Sequence, residues 1–207
     1  MSYSTQLIRK HEQTTTKWSG GDTTELAIYP ADADYAKRNF HWRISSAVVE
    51  AEESVFTPLP AIDRIIMVID GEMMLKHEGH HQVHLKPYEQ DRFSGGWTTR
   101  SYGKVRDFNL MLADGYSGAL EAITVGKDRP YEIGSEKCRN VEAFYSVQGR
   151  ASIQMNEDKA VDLEEGDLLL IHREEVETSL SITLVSQSEI EAKIIRANVM
   201  FDTLPTN

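Results

Sequence analysis

Short apolar runs, separated by turns that contain glycine, dominate the pattern of hydrophobic and polar positions along the chain. Ile65–Ile69 are five consecutive apolar residues, a length that fits a strand buried on both faces and falls far short of a membrane span. Gly71 follows at a bend where a side chain would obstruct the chain. Because no long segment repeats with a helical period, the sequence predicts an all-β protein of short strands.

The strand–glycine–strand pattern occurs twice. The segment around Gly71 is matched by a segment around Gly149, 78 residues later. A repeated strand–turn–strand unit is typical of a duplicated domain. The turn residues Asp114–Gly118 then predict a boundary, so we expect one domain over residues 1–115 and a second over residues 116–207.

Polar residues occupy one face of two further predicted strands. Alternation along Phe40–Val49 and along Asp107–Leu112 defines that face, which contains Arg43, Ser45, Ala47, Asp107, Asn109 and Met111. A charge in the middle of a strand requires a partner or a ligand, and a buried polar face requires polar partners or a polar cavity. These two strands therefore provide the first candidate site.

A tryptophan followed by a double glycine precedes these strands. Trp18, Gly20 and Gly21 lead into a strand that begins near Thr23. Two interpretations of this loop stay open. It is either a plain tight turn, or a loop whose exposed amide groups meet a ligand with Trp18 as one wall.

Four of the seven histidines lie close together, at His77, His80, His81 and His84. Glu78-Gly79 within this segment predicts the tip of a hairpin. Metal ligands must converge from a rigid shell, whereas the tip of a hairpin is mostly exposed to solvent. We therefore interpret the segment as a solvated hairpin and expect no metal there.

The composition narrows the classes of partner. The 207 residues carry a formal net charge of −11, which argues against nucleic acid and anionic membrane surfaces as partners. A small acidic ligand is still compatible, because a pocket can be locally basic. The single cysteine, Cys138, is interpreted as a structural thiol in a reducing compartment. The N-terminal residues show no signal peptide, so we expect a cytoplasmic protein.

The second half of the chain resembles a cupin. The resemblance rests on two groups of residues: Glu142, Tyr145, Val147 and Gly149, and then Leu163, Gly166, Asp167 and Ile171. The first half resembles a more diverged copy, so the chain as a whole resembles a bicupin. The resemblance implies a double-stranded β-helix, with two cupin barrels in one chain.

The first half also resembles the HutD/Ves family. Four segments carry this resemblance in order: Trp18–Gly21 with Thr23, Trp42–Ser45, Ile62–Arg64 leading into Val68–Gly71, and Asp107–Met111. Asp22 departs from the family, where a third glycine is common, and should stiffen the loop. HutD-like proteins are associated with histidine utilisation and Ves-like proteins with stress or cold response, so the resemblance implies a regulatory or ligand-binding role.

Many cupins hold a metal with histidines and one glutamate. In the second half Glu142 and His172 match two of these positions, but the segment 137–140 supplies no histidine. In the first half Arg64 takes the place of the glutamate, and a guanidinium there repels a metal ion. The resemblance thus implies no metal and no other cofactor in either barrel.

The arginine at this position predicts a receptor for a small anionic metabolite in the N-terminal barrel. Arginine is suited to bind a carboxylate through two parallel hydrogen bonds. The predicted ligand-binding residues are Trp18, Gly20, Gly21, Thr23, Arg43, Ser45, Asp63, Arg64, Asp107 and Asn109. The family's link to histidine makes a formylated or formimino glutamate a natural choice of ligand.

Three alternatives stay open. Arg64 with Asp107, or Arg43 with Asp63, could form internal salt bridges that only hold the barrel closed. The chain could be a metal-independent isomerase or hydrolase with Asp107 or Glu72 as its acid and base. It could also be an interaction protein, and a homodimer that pairs through edge strands is compatible with the sequence.

Overall fold

The computed structural model describes residues 3–134, 140–173, 179–189 and 191–201. Across these ranges the chain is almost entirely β, which confirms the predicted class. Two compact units are present, an N-terminal unit, Gln13–Tyr116, and a C-terminal unit, Ser117–Asn207 together with Met1–Glu12. No helix in the described residues is long and apolar enough to cross a membrane.

The N-terminal unit consists of two antiparallel sheets. In spatial order, the six-stranded sheet contains β2 (Thr14–Trp18), β3 (Gly21–Tyr29), β4 (Trp42–Val49), β11 (Val105–Ala113), β6 (Ile62–Gly71) and β9 (Gln90–Ser94). The four-stranded sheet contains β5 (Glu53–Val55), β10 (Thr99–Tyr102), β7 (Met73–His77) and β8 (Gln82–Leu85). Both sheets contribute to one apolar cluster, which includes Ile66, Val68, Leu75 and Leu85. A short 3₁₀ helix, Tyr35–Lys37, precedes β4.

The C-terminal unit also consists of two sheets. The five-stranded sheet contains β1 (Tyr3–Ile8), β17 (Leu168–Arg173), β14 (Val141–Gln148), β19 (Ala192–Phe201) and β12 (Tyr116–Val125). The four-stranded sheet contains β13 (Tyr131–Ile133), β18 (Ile182–Ser186), β15 (Ala151–Met155) and β16 (Val161–Leu163). Its apolar cluster again draws on both sheets and includes Phe144, Ile153, Leu169 and Ile194. A 3₁₀ helix, Lys10–Glu12, follows β1.

The first strand belongs to the C-terminal unit, whereas the sequence analysis placed it in the domain 1–115. β1 pairs with β17 over six residues, from Tyr3 opposite Arg173 to Ile8 opposite Leu168. Asp167 fixes the next turn, because its carboxylate accepts hydrogen bonds from the Arg9 guanidinium at 2.7 Å and from the Lys10 amide at 2.9 Å. Local alternation cannot reveal this pairing, since the partner strand lies far along the chain.

The two units share one backbone feature at the glycines that the sequence singles out. Gly71 has a φ of +80° and Gly149 a φ of +76°. Two residues before each glycine the strand carries a β-bulge, at Ile69 in β6 and at Val147 in β14. In each unit the chain passes at this point from the larger sheet into the smaller one. The internal repeat is therefore present in the backbone geometry as well as in the sequence.

We expect Gly71→Ala to destabilise the protein more than Gly79→Ala does. Both residues have a positive φ, +80° and +78°, so alanine costs about 1 kcal/mol of backbone strain at either position. At Gly71 the new Cβ would also lie 2.4 Å from the carbonyl oxygen of Lys104, whereas at Gly79 it meets nothing within 4 Å. The clash should add about 1–3 kcal/mol to the loss, measured by urea unfolding. Equal losses in the two variants would contradict this account of the bend.

Candidate functional site

The inner face of the six-stranded sheet carries a group of buried polar side chains. Arg43, Ser45, Arg64, Asp107 and Asn109 are each between 3% and 6% exposed. They lie on three neighbouring strands, β4, β11 and β6, with Asn109 opposite Ser45 and with both arginines opposite Met111. The structure thus brings together five of the ten residues that the sequence analysis proposed, on the same face as the apolar cluster.

Arg43 has an internal counter-ion. Its Nε donates to Glu25 Oε2 at 2.7 Å, and its Nη1 donates to Ser45 Oγ at 3.0 Å. The guanidinium carbon also lies 4.4 Å from the centre of the Tyr35 ring, within the range of a cation–π contact. Glu25 therefore neutralises Arg43, which leaves this arginine with less capacity to attract an anion.

Arg64 has no such partner. Its side chain makes no hydrogen bond and no ion pair with any described residue, and its Nε is completely buried without an acceptor. The guanidinium carbon lies 4.7 Å from the Phe56 ring centre and 5.3 Å from that of Phe93. Burial lowers the pKa of Arg64 to about 10, although Tyr35 and Asp107 act in the opposite direction. The site therefore contains a buried positive charge that no carboxylate contacts.

Asp107 and Asn109 line the same face on β11. Burial raises the pKa of Asp107 to about 7, against the nearby Arg64 charge and the Ala47 backbone N–H, which both lower it. Oδ1 of Asn109 is buried and accepts no hydrogen bond from the described part of the chain. The site thus offers a guanidinium donor, a carboxyl group that changes its charge near neutral pH and an unsatisfied acceptor.

Asp63 does not belong to this group, although the sequence analysis included it. It lies on β6 directly before Arg64, so its side chain points to the opposite face of the sheet. There it accepts a hydrogen bond from Arg92 Nε at 2.7 Å. The alternative in which Arg43 and Asp63 form a salt bridge is therefore not realised, because Arg43 pairs with Glu25 and Asp63 pairs with Arg92.

The loop that contains Trp18 forms a tight turn between β2 and β3. The carbonyl of Gly20 accepts hydrogen bonds from the amides of Glu50 and Ala51, at 2.8 and 3.2 Å. A side chain at Gly21 would lie 2.0 Å from the Val48 carbonyl oxygen, so glycine is required there for close packing of the backbone. These contacts favour the interpretation of the loop as a plain turn.

Trp18 and Thr23 contact each other at the same turn. The indole Nε1 of Trp18 donates to Thr23 Oγ1 at 3.2 Å, and 39% of the Trp18 surface is exposed. The turn lines a depression of about 350 Å³, whose charged residues are Lys17, Asp22 and Glu50. Two carboxylates against one ammonium group make this depression unsuited to an anion.

The histidine segment was predicted to be a solvated hairpin, but its histidines differ in exposure. His77 is only 2% exposed, because the rings of Phe93, His81 and Trp97 pack around it. His84, by contrast, lies at the surface and pairs with Glu72 at 3.0 Å. Of the two acid–base candidates, Asp107 is therefore buried in the site and Glu72 is on the surface.

The C-terminal unit contains a closed ion pair at the equivalent position. Glu142 lies 78 residues after Arg64, the same offset that relates the two glycines. Its carboxylate accepts two hydrogen bonds from Arg196, at 2.7 and 3.0 Å, and both residues are buried. Arg196 also donates to Glu121 at 3.1 Å. Glu142, which matches the glutamate of the cupin metal site, thus forms an internal salt bridge. Cys138 lies in the segment 135–139, which is outside the described residues.

The paired antiparallel sheets, with polar side chains on an inner face, define an all-β protein of the cupin class. A vicilin from Solanum melongena is similar in fold, with a TM-score of 0.61 at 12% identity over 97% of this chain and 88% of that chain. Other cupin folds, including the bacterial pirin YhhW from Escherichia coli, are similar as well, with a TM-score of 0.69 at 12% identity over 99% of this chain and 100% of that chain. These comparisons confirm the predicted cupin fold.

The chain belongs to the HutD family, whose profile matches residues 10–191. Two solved structures agree with this assignment. HutD from Pseudomonas fluorescens SBW25 has a TM-score of 0.74 at 21% identity, over 97% of this chain and 100% of that chain. A conserved protein of unknown function, PA5104 from Pseudomonas aeruginosa PAO1, has a TM-score of 0.81 at 22% identity, over 95% of this chain and 99% of that chain.

We expect Asp107→Asn to change how stability depends on pH. The carboxyl of Asp107 has an ordinary pKa of 3.8 in the unfolded chain and one of about 7 in the folded protein, so unfolding releases a proton between these values. The free energy of unfolding that this group contributes therefore falls as pH rises from about 4 to 7. Asparagine does not titrate, so the variant lacks this dependence. Between pH 5 and pH 8 the free energy of unfolding of the variant should therefore rise by about 2–3 kcal/mol relative to that of the wild type.

Urea unfolding at the two pH values measures this difference. Asp63→Asn is the matched control, because it removes a carboxylate from the neighbouring strand but from the opposite face of the sheet. A gain of the same size in both variants would contradict the special environment of Asp107.

Proposed function

We propose that the protein is a regulatory binding protein whose N-terminal unit takes up a small carboxylate-bearing metabolite at Arg64. The observation that carries the proposal is the Arg64 guanidinium, which is buried and has neither a hydrogen-bond acceptor nor a counter-ion among the described residues. An ion removed from water costs several kcal/mol unless its donors are satisfied. A ligand carboxylate supplies two acceptor oxygens in the geometry that a guanidinium prefers.

The neighbouring groups favour a ligand with a second polar function. Oδ1 of Asn109 is an acceptor without a donor, so an N–H group on the ligand would satisfy it. Asp107 has a pKa near 7, and in its protonated form it donates a hydrogen bond to a carboxylate instead of repelling it. A carboxylate joined to an amide or amino group matches all three side chains.

The comparison between the two units supports the same proposal. In the C-terminal unit Glu142 and Arg196 satisfy each other through two hydrogen bonds. In the N-terminal unit Arg64 occupies the position equivalent to Glu142. Asn109 occupies the position equivalent to Arg196, because Asn109 lies opposite Ile66 as Arg196 lies opposite Phe144. An amide cannot neutralise a guanidinium, which supports a carboxylate from a bound ligand as the complement of Arg64.

The family and the fold neighbours guide the choice of ligand. HutD-like proteins are associated with histidine utilisation, which makes N-formylglutamate and formiminoglutamate the first compounds to test. The Solanum melongena vicilin, a fold neighbour, is described as having different anionic ligands in structurally similar pockets. The HutD structure from Pseudomonas fluorescens was obtained in a formate condition, and formate is a minimal carboxylate probe.

We expect Arg64→Met to weaken carboxylate binding by about ten- to a hundredfold. This corresponds to the loss of hydrogen bonds to a charged group, about 1.5–3 kcal/mol. The variant should still fold, because replacing a buried charge by an apolar side chain of similar length is often neutral or stabilising. Isothermal titration with N-formylglutamate, glutarate and formate measures the affinities, and glutarate tests the role of the N–H group.

Arg92→Met is the matched control, since Arg92 is a half-exposed arginine on the adjacent strand β9 with its own partner, Asp63. It should bind the probes like the wild type, and formamide, the neutral analogue of formate, should bind neither protein. Equal affinities of the wild type and Arg64→Met for every carboxylate would rule out Arg64 as the anion site.

A second candidate function is acid–base catalysis on the bound metabolite, which the raised pKa of Asp107 favours. A carboxyl group that titrates near neutral pH can both accept and donate a proton under physiological conditions. Asp107→Asn separates the two functions. An enzyme would lose turnover in this variant while it keeps most of its affinity for the ligand, whereas a receptor shows no turnover in either form.

A further inference from the structure

A second group of polar side chains lies in the N-terminal unit, outside the Arg64 site. His77 is the last residue of β7, His81 follows in the turn to β8, and Asp91 lies on β9. Nε2 of His77 lies 2.9 Å from Asp91 Oδ2, and Nε2 of His81 lies 3.1 Å from both oxygens of the same carboxylate. All three side chains therefore direct a metal-ligating atom at one point, with those atoms within 4.8 Å of one another.

The buried histidine has the support that metal-bound histidines usually have. Nδ1 of His77 lies 2.8 Å from Thr99 Oγ1 on β10, opposite it in the sheet. When Nδ1–H donates to this hydroxyl, Nε2 is left with its lone pair facing Asp91. A hydrogen bond from the second ring nitrogen fixes the tautomer and the ring orientation of a metal ligand.

The turn that carries His81 is held in place by several contacts. The His77 amide donates to the His81 carbonyl at 2.9 Å, and the Glu78 amide donates to the Thr98 carbonyl at 2.9 Å. The ring of His80 stacks on Trp97, with the ring centres 3.7 Å apart. These contacts make the turn part of the sheet and not a free tip, so the ligands converge from a rigid shell.

We propose that His77, His81 and Asp91 form a binding site for a divalent transition-metal ion, with Zn²⁺ as the ion that suits them best. Two imidazole nitrogens and one carboxylate are a common donor set for Zn²⁺, with a fourth position for water or substrate. Tetrahedral ligands at about 2.0–2.1 Å from an ion lie about 3.3 Å from one another, close to the 2.9 and 3.1 Å between the Asp91 carboxylate and the two imidazole nitrogens. Ca²⁺ and Mg²⁺ prefer oxygen ligands and are disfavoured.

This site differs in position and in ligands from the usual cupin metal site, whose glutamate is replaced here by Arg64. Its ligands come from both sheets of the N-terminal unit, since β7 belongs to the four-stranded sheet and β9 to the six-stranded one. His81 is 41% exposed in its side chain, which gives an ion access from solvent. Bound metal would thus join the two sheets at their edge and stabilise the unit by mass action.

The test is isothermal titration of untagged, chelator-treated full-length protein with Zn²⁺, together with its thermal unfolding in the presence and absence of the ion. We expect one Zn²⁺ per chain and a rise in Tm. His81→Gln and Asp91→Asn should each weaken binding at least about tenfold, and Thr99→Val, which removes only the support of His77, should weaken it about tenfold. The exposed ligand His81 is the primary variant, because its replacement leaves the core intact.

His84→Gln and His11→Gln are the matched controls, since both remove a histidine that lies outside the group, and both should bind Zn²⁺ like the wild type. The visible absorption of bound Co²⁺ gives an independent measure of nitrogen and oxygen ligation at the site. Absence of stoichiometric binding to the wild type would overturn the proposal. Binding that His81→Gln and Asp91→Asn leave unchanged, or that the control variants reduce equally, would do so as well.

Discussion

A guanidinium buried without a counter-ion is the constraint on which the N-terminal unit depends. The faces of Phe56 and Phe93 offset part of the desolvation of Arg64, by about 0.5–2 kcal/mol for a cation–π contact. Asp107 offsets little more, because its own burial keeps it partly protonated near neutral pH. An anionic ligand present at a hundred times its Kd would stabilise the folded state by about 2.7 kcal/mol. Under the proposed function, ligand binding and folding stability would therefore both depend on this one unsatisfied charge.

The two units differ in whether a buried charge at equivalent positions has a counter-ion within the unit. At equivalent positions the C-terminal unit has Glu142 and Arg196, which form a bidentate pair with further support from Glu121. Such a pair resists separation, because removing either partner leaves a buried charge uncompensated. The N-terminal unit has the charge of the pair without its complement. Under the proposed function, this position is an internally satisfied structural element in the C-terminal unit and a ligand contact in the N-terminal unit.

Much of the site could be predicted from alternation along single strands. Arg43 and Ser45, and likewise Asp107 and Asn109, share a face in the sequence and in the structure, because each strand is regular where these residues lie. Glu25 was missed because a bulge in β3 at Leu26 interrupts the alternation that would have indicated its direction. Asp63 was predicted as part of the segment Ile62–Arg64, which carries the family resemblance, although adjacent residues of a strand face opposite sides.

What the sequence could not provide was contact between distant segments. The pairing of β1 with β17 and the burial of His77 both depend on partners that local pattern does not identify. The histidine segment has the composition of a solvated hairpin, and only the position of Asp91 and Thr99 on other strands shows that one of its imidazoles is enclosed. The resemblance to the HutD family identified the family from four segments in order along the chain, but it indicated neither of these contacts.

Phe93 connects the two polar groups of the N-terminal unit. Its ring lies 5.3 Å from the guanidinium carbon of Arg64 and 4.5 Å from the ring of His77, measured from the ring centre. Asp91 precedes it by two residues on β9, so both side chains point to the same face of the strand. An ion bound by Asp91 would fix this part of β9 and with it the aromatic surface on which Arg64 rests. The metal would then act on anion binding through the position of one ring, because the ion and the guanidinium, both positive, gain nothing from direct contact.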